Sequence, residues 1–512
     1  MLKELLMKGY LPKELPSVFS SAGLRAFVNQ ASDLPAPLTD KSALWTQPIA
    51  HNIARVGGLR RRLTTPNPLS FFRLARAFQA NDDSLKAAWN KSAFSHTKPT
   101  LAPNQERAFS GKPGMRSVPK AISRVGARYL VAADISQFYP SVYTHTIPWA
   151  MHTKKLAKEN KHDQSLGGNV IDAELRACQN GQTKGIAIGP DTSLGIAELI
   201  LGVVDEAMAV ECNILGGVRF IDDIEYAHST LADAEHTLVC LEGFLHEYEL
   251  QLNGNKTELI ELPYELDSPY ISILHKYMPE AGTKSDSAWI DYIDTAFALA
   301  KQYPNDGVLR YAIAALQGTA ISERVWVLAQ SLLWQCLALD PGTLRFIVEV
   351  VRFNTLTQGY EVDAEMGEKA INCLIDTSAT VGHGSEVAWG IWAASTLDFG
   401  LNSNSQDKIA LVDDDFVAAL ALHNRESLFD PDYQPTLWEG WLVDDCFISD
   451  HWLFSYEAYK RGWMRKAVAA SDIAKDPVAA WMKEQGISFL RDSEVYVPKK
   501  VALGSGSAGA SG

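Results

Sequence analysis

Asp222 and Asp223 stand side by side in Arg219-Phe220-Ile221-Asp222-Asp223-Ile224-Glu225-Tyr226, which follows Gly216-Gly217 and is apolar or aromatic on both sides of the pair. The stretch reads as two short strands whose connection presents adjacent carboxylates. Such carboxylates repel one another and lose hydration, so a compensating charge is needed, and a divalent cation is the obvious one. Asp is also a common turn residue for purely local hydrogen-bonding reasons, so the pair alone decides nothing. A third carboxylate gives it weight. Tyr129-Leu130-Val131-Ala132-Ala133-Asp134-Ile135 is an apolar run carrying a single Asp, followed by Ser136-Gln137-Phe138-Tyr139-Pro140, and it reads as a buried strand that ends by pointing a carboxylate into a cleft.

Three carboxylates on two adjacent strands can hold two Mg2+ ions about 3.5–4 Å apart, one activating a 3′ hydroxyl and one neutralising a triphosphate and its leaving pyrophosphate. Magnesium suits this because it takes few carboxylates and leaves positions for phosphate oxygens. In that arrangement Asp134 and Asp222 bridge the metals, the Ile135 carbonyl assists and Asp223 completes the site. Tyr139, five positions after Asp134, stands where a bulky ring in a polymerase palm would abut the sugar C2′; its plain alternative is a core aromatic. Lys256 could protonate departing pyrophosphate or simply be a solvated loop lysine. Arg116 and Lys120 are candidates for gripping the triphosphate.

The elements that must position these groups follow an ordered pattern. After the Asp134 strand, Gly185-Ile186-Ala187-Ile188-Gly189-Pro190-Asp191-Thr192-Ser193 reads as a turn whose Asp or Thr can cap a helix. That helix places Leu194, Ala197, Leu201, Val204 and Met208 on one face. The aspartate hairpin comes next, then a helix with Leu231, Ala234, Leu238, Leu241, Leu245 and Tyr248 on one side, and 250–262 closes with an apolar strand. Strand, helix, hairpin, helix, strand predicts an α+β unit, an antiparallel sheet backed by two helices, in which Asp134 and the hairpin can be neighbours.

Upstream, residues 8–20 are rich in Pro and turn formers and are expected to run extended across a surface. A helix is predicted over 69–78, and the loop-rich passage 99–119 carries basic residues where a triphosphate-gripping finger would lie. Arg55, Arg60, Arg61, Arg62, Arg73, Arg76, Arg107, Lys112, Arg116, Lys120, Arg124 and Arg128 concentrate basic charge in the first quarter, as a solvated face or a phosphate channel. Beyond Pro263 lie ten of the 13 tryptophans, with helical spacing in Trp289, Ile293, Ala296, Ala300 and in Val325, Leu328, Leu332, Leu339. A break at Pro341-Gly342 and a further helix at 344–353 complete the pattern of a helical array. The expected domains are 1–127, N-terminal segment and fingers; 128–265, palm with the metal site; 266–500, the helical domain; and 501–512, a flexible linker.

With 512 residues, 46% of them hydrophobic and 21% charged, the chain reads as a soluble protein of two or more domains. A net charge of -14 argues against a protein that coats nucleic acid while allowing a local basic channel. No apolar run reaches membrane-spanning length and the N-terminus lacks a secretory layout, so a cytoplasmic location and no membrane partner are expected. The six cysteines look scattered, without a histidine at zinc spacing, so free thiols and no zinc are expected.

The residues quoted above resemble the sequence blocks of reverse transcriptases: Asp134-Ile135-Ser136-Gln137-Phe138-Tyr139, then 185–193 with Gly189 among its nucleotide-binding positions, Phe220-Ile221-Asp222-Asp223, and Leu252-Asn253 with Lys256-Thr257. Gly9-Tyr10-Leu11-Pro12-Lys13-Glu14-Leu15-Pro16 and Tyr143-Thr144-His145-Thr146-Ile147-Pro148-Trp149 look like the abortive-infection (Abi) branch, in particular its prophage-encoded member with a helical-repeat C-terminal half. The resemblance covers roughly the first half of the chain by motif. It implies the fingers and palm of a polymerase right hand followed by an all-α, HEAT-like helical-repeat domain. It further implies a homo-oligomeric phage-defence nucleotidyltransferase that takes deoxynucleoside triphosphates and makes single-stranded DNA on a hydroxyl of the protein itself, without added template. Phe220 stands where a Tyr is common and Ile188 where a Gln often sits, which puts template-directed selection in doubt. The alternatives are a template-directed RNA-dependent DNA polymerase and a non-catalytic helical scaffold that binds a phage or host protein.

Overall fold

The computed structural model describes residues 1–40, 44–101, 106–110 and 116–492; Pro103, Lys112, Pro113, Gly114 and the 501–512 tail lie outside them. Strands β1 (Ile49–Ala54) and β2 (Arg60–Thr65) form an antiparallel hairpin in register from Ile49↔Thr65 to Ala54↔Arg60. Its connection contains Gly57 and Gly58 at φ 75° and 74°, a left-handed conformation that glycine adopts without steric cost. A two-residue ladder, β3 (Thr100–Leu101) with β4 (Phe109–Ser110), follows.

The central sheet comprises β5 (Tyr129–Asp134), β6 (Gly216–Phe220), β7 (Asp223–His228) and β8 (Glu258–Glu261) in the order β6-β7-β5-β8, with every pairing antiparallel. The apolar run Leu130, Val131, Ala133 makes β5 an inner strand, paired on both edges and buried at those residues. The 250–262 stretch is less apolar than expected: β8 is an edge strand with Glu258, Leu259 and Glu261 exposed. Helix Leu231–Glu247 packs on β5 and β7, and helix Asp191–Glu211 packs on it in turn. The latter is buried nearly all round rather than on one face, as an interior helix must be. The order of strand, helix, hairpin, helix and strand is that expected of the α+β unit.

From 269 to 484 the described residues form helices and turns, without strands. Asp286–Gln302 packs on Val308–Ala315 and Glu323–Leu339; Glu323–Leu339 packs on Leu344–Gln358 and Ala364–Thr380; Ala364–Thr380 packs on Gly384–Leu397. Contacts between next neighbours and next-but-one neighbours make an array of packed helices. No helix among the described residues is long and apolar enough to cross a membrane.

Residues 8–20 depart from expectation. Tyr10 is fully buried, its hydroxyl donates to the Pro66 carbonyl, and its ring packs 4.6 Å from Phe71, 6.0 Å from Phe489 and 6.4 Å from Trp452. Leu11, Leu15, Val18 and Phe19 are buried as well, and Phe19 pairs with Leu490. Proline prevents regular structure here without preventing burial, and apolar residues at irregular spacing still leave water.

Candidate active site

Ile221 and Asp222 are the two central residues of the β6–β7 hairpin, since Phe220 pairs with Asp223. So tight a turn needs positive φ, and Ile221 supplies it at 60°, an unfavourable conformation for a β-branched residue. The strain is held from two sides. Ile221 donates its N–H to Thr97 Oγ1 at 3.0 Å, and its carbonyl accepts from Arg219 Nη1 at 2.9 Å.

Arg219 is wholly buried and bonds Glu198 Oε2 at 2.9 Å and Asp205 Oδ2 at 2.8 Å, both on helix Asp191–Glu211. Burial alone would lower the guanidinium pKa, but Asp205 and Glu198 more than offset it, so the group stays charged. Thr97 and Ser95 donate to Glu198 at 2.6 and 2.7 Å, and Ser92 donates to Asp205. The excess negative charge is thereby met by hydroxyl donors, as a buried network requires.

Asp134 lies directly opposite Asp223 in the β5–β7 ladder. Opposed residues of an antiparallel pair project to the same face with Cα atoms about 4.5–5.5 Å apart. The third carboxylate, Asp222, sits in the adjoining turn. Burial first, and then the charges of Asp134 and Asp223, push its pKa up to about 6, against the lowering effect of Lys256.

Chain cations already touch two of the three. Lys256 Nζ is 3.1 Å from Asp134 Oδ2, and Asn253 donates to the same residue twice, from Nδ2 to Oδ1 at 3.0 Å and from its backbone N–H to the carbonyl at 2.8 Å. Arg116 Nη1 lies 3.4 Å from Asp223 Oδ2, with its guanidinium 4.9 Å from the Phe220 ring. The ligand atoms of the three carboxylates do not all lie within 4.8 Å of one another, and a metal shared by them would need Lys256 and Arg116 to give way.

Other expected residues divide between the site and its surroundings. Tyr139 is within electrostatic reach of Asp222; burial, then Asp222 and Glu198, hold its phenol well above its ordinary range. Ile135 is buried and bridges to Leu252. Lys120 turns to Glu225 at 3.5 Å, beside Arg124 at 2.7 Å, because Asp223 and Glu225 alternate onto the face that carries helix Ser117–Ser123. Gly189, at φ 140°, is packed under Pro12, and its carbonyl accepts from Arg107 at 2.8 Å.

Asp191 does not cap its helix; Pro190 is the N-cap, without a side-chain bond. The Asp191 carboxylate instead turns outward, to Arg107 and to the Ala108 and Phe109 N–H groups at 2.9 and 3.1 Å, while its own N–H donates to the Gly9 carbonyl.

One residue near the site stands out in the sequence only as part of a basic run. Arg61, on β2, is electrostatically coupled to Asp222, Tyr139 and Glu14, while burial and Arg55 lower its pKa. The signal that could have found it is strand alternation: Arg60 is taken up by Glu386 and Asn52, so its neighbour faces elsewhere.

No protein-family model and no curated protein sequence matches the chain. Among solved structures, apo telomerase from Candida tropicalis is similar over 75% of this chain and 66% of that one, at 11% identity and a TM-score of 0.33.

Proposed function

We propose that this chain is a magnesium-dependent nucleotidyltransferase of the reverse-transcriptase kind, a DNA polymerase of the abortive-infection type that acts in the cytoplasm against phage. The observation that carries the reading is the register Asp134↔Asp223 with Asp222 in the adjoining strained turn, an all-oxygen donor set whose crowded charge fits a hard divalent cation. Asp134, Asp222, Asp223 and the Ile135 carbonyl would hold it, and bound Mg2+ supplies activation of the attacking hydroxyl and charge neutralisation on the triphosphate.

The chain's own residues do the rest. Arg61 and Arg116 offer guanidinium groups to the triphosphate, Lys256 offers a proton to pyrophosphate, and Tyr139 walls the sugar side. Priming from a hydroxyl of the protein, template-free synthesis of single-stranded DNA that stays attached, and a homo-oligomer belong to the same proposal. So do a HEAT-like repeat in the helical array and the division into 1–127, 128–265 and 266–500.

The test is incubation of purified protein with labelled deoxynucleotides and no template, resolved on a gel with and without protease. The expected result is protein-bound DNA that protease releases and that Asp222→Ala abolishes. A product that appears only with added RNA and primer would mark a template-directed enzyme. The engagement of Asp134 and Asp223 by Lys256 and Arg116 favours a second reading, a non-catalytic scaffold. It wins if Asp134→Ala and Asp222→Ala both leave anti-phage activity intact.

A further inference from the structure

Away from the aspartates, the fold assembles a group that the sequence reading passed over. His236 and Cys240 are four residues apart on helix Leu231–Glu247 and so share a face. Cys212, the C-cap residue of helix Asp191–Glu211, is brought against them by the packing of the two helices. The ligand atoms of all three lie within 4.8 Å of one another, the one such grouping among the described residues. Cys240 Sγ is 3.5 Å from His236 Nε2. Bonds of about 2.0–2.3 Å in a tetrahedral zinc site put neighbouring ligands roughly 3.3–3.8 Å apart, so small rotamer adjustments suffice.

A second observation points into the same place. Thr237 is fully buried, and among the described residues the Cys212 sulfur is the one polar atom its hydroxyl faces, with no oxygen or nitrogen partner besides. A hydroxyl whose only partner is a thiol, a weak acceptor, gains a strong one once that sulfur is a thiolate, the usual outer-sphere support of a metal-bound cysteine. Cys212 is buried, Cys240 half-buried and His236 exposed, so a fourth position opens to solvent.

We propose that Cys212, His236 and Cys240 form a binding site for one borderline-soft divalent transition metal, zinc foremost, with water as the fourth ligand. Two thiolates and an imidazole select such a metal over magnesium. Binding transfers the two thiol protons to solvent, forms two metal–sulfur bonds and one metal–nitrogen bond, and changes no oxidation state. The five residues of β6 separate this site from the aspartate turn, roughly 15 Å along the strand. The metal would clip the end of the helix bearing Glu198 and Asp205 to the helix that backs β5 and β7, stiffening the frame of the hairpin.

The experiment titrates the full-length chain, stripped with chelator under reductant, with Co2+ and then Zn2+. One equivalent of cobalt should produce thiolate charge-transfer absorption and the strong visible bands of tetrahedral cobalt. Zinc should displace it and raise Tm, and excess Mg2+ should not compete. Cys240→Ser, at a half-buried position and with an unchanged circular dichroism spectrum, should weaken binding and cut the thiolate band at saturation to about half or less; His236→Ala should weaken binding at least about tenfold, and Thr237→Val about 10–100-fold with the band retained. Cys373→Ser, at an exposed thiol elsewhere, should change nothing. Absence of the band in the unaltered chain, or a band of undiminished intensity in Cys240→Ser, overturns the site.

Discussion

Asp222 is where the proposed chemistry and the stability of this chain oppose each other. A carboxyl whose pKa is raised by folding burdens the folded state once the pH exceeds the ordinary value of 3.8, and the burden grows until about pH 6 and stays constant above it. Asp222→Asn should therefore stabilise the protein by about 1–3 kcal/mol at pH 7.5. That advantage should fade as the pH falls through 6 and vanish near 4, while the polymerase activity proposed above, which needs the carboxylate, should be lost. Thermal denaturation at the two pH values checks this; an asparagine variant no more stable than the parent at pH 7.5 would mean the carboxylates are not crowded. Lys256 acts in the opposite sense, since it lowers the Asp222 pKa and bonds Asp134. Being 51% exposed, it is free to swing to a leaving group, and if the proposed polymerase uses it as general acid, Lys256→Met should cut turnover by about 10²–10⁴-fold with the fold intact.

The element that matters most is the hairpin and the helix beneath it. Arg219 reaches from β6 to Glu198 and Asp205 and still holds the Ile221 carbonyl, so one side chain links helix, strand and turn. Arg219→Met should cost about 3–5 kcal/mol, because two carboxylates are left buried without their cation. Arg219→Lys should fail as well, since one ammonium cannot serve three directions. Ile221→Gly, by contrast, should stay within about 1 kcal/mol of the parent, the relief of positive φ offsetting lost packing and chain entropy. Chemical denaturation of the three variants separates a network that holds the turn from a turn that holds itself.

On the scale of the whole molecule, Glu14, Phe19, His51 and Arg60 sew the N-terminal part into the helical array. His51 Nδ1 meets Asp414 Oδ2 at 2.7 Å in a buried pair, Arg60 meets Glu386, and Trp389 donates to the Glu14 carbonyl at 2.9 Å. Phe19 packs edge-on to Phe416 at 4.9 Å. A fragment of residues 1–265 should therefore aggregate, and co-expression with 266–492 should rescue it, as size-exclusion chromatography will show. Asp414 also accepts from the Phe416 and Val417 N–H groups at the start of its helix. Asp414→Ala should lower stability by about 2–4 kcal/mol, through a lost cap and an orphaned buried imidazole, and should lower one cooperative transition rather than split it.

What the residues determined alone were the local elements, because their causes are local. The apolar run before Asp134 has the composition of an inner strand, the spacing of Leu194 to Met208 is helical, and the stretch around Asp222 and Asp223 reads as two short strands with a turn between them. What tertiary structure decided were pairings between positions far apart in sequence. Asp134 against Asp223, Lys120 turned to Glu225, Tyr10 under Trp452 and Cys212 against Cys240 depend on register, packing and burial that no window of neighbouring residues contains. Periodicity reports which face of an element is apolar, whereas the energy of a charge depends on what the rest of the chain brings to it.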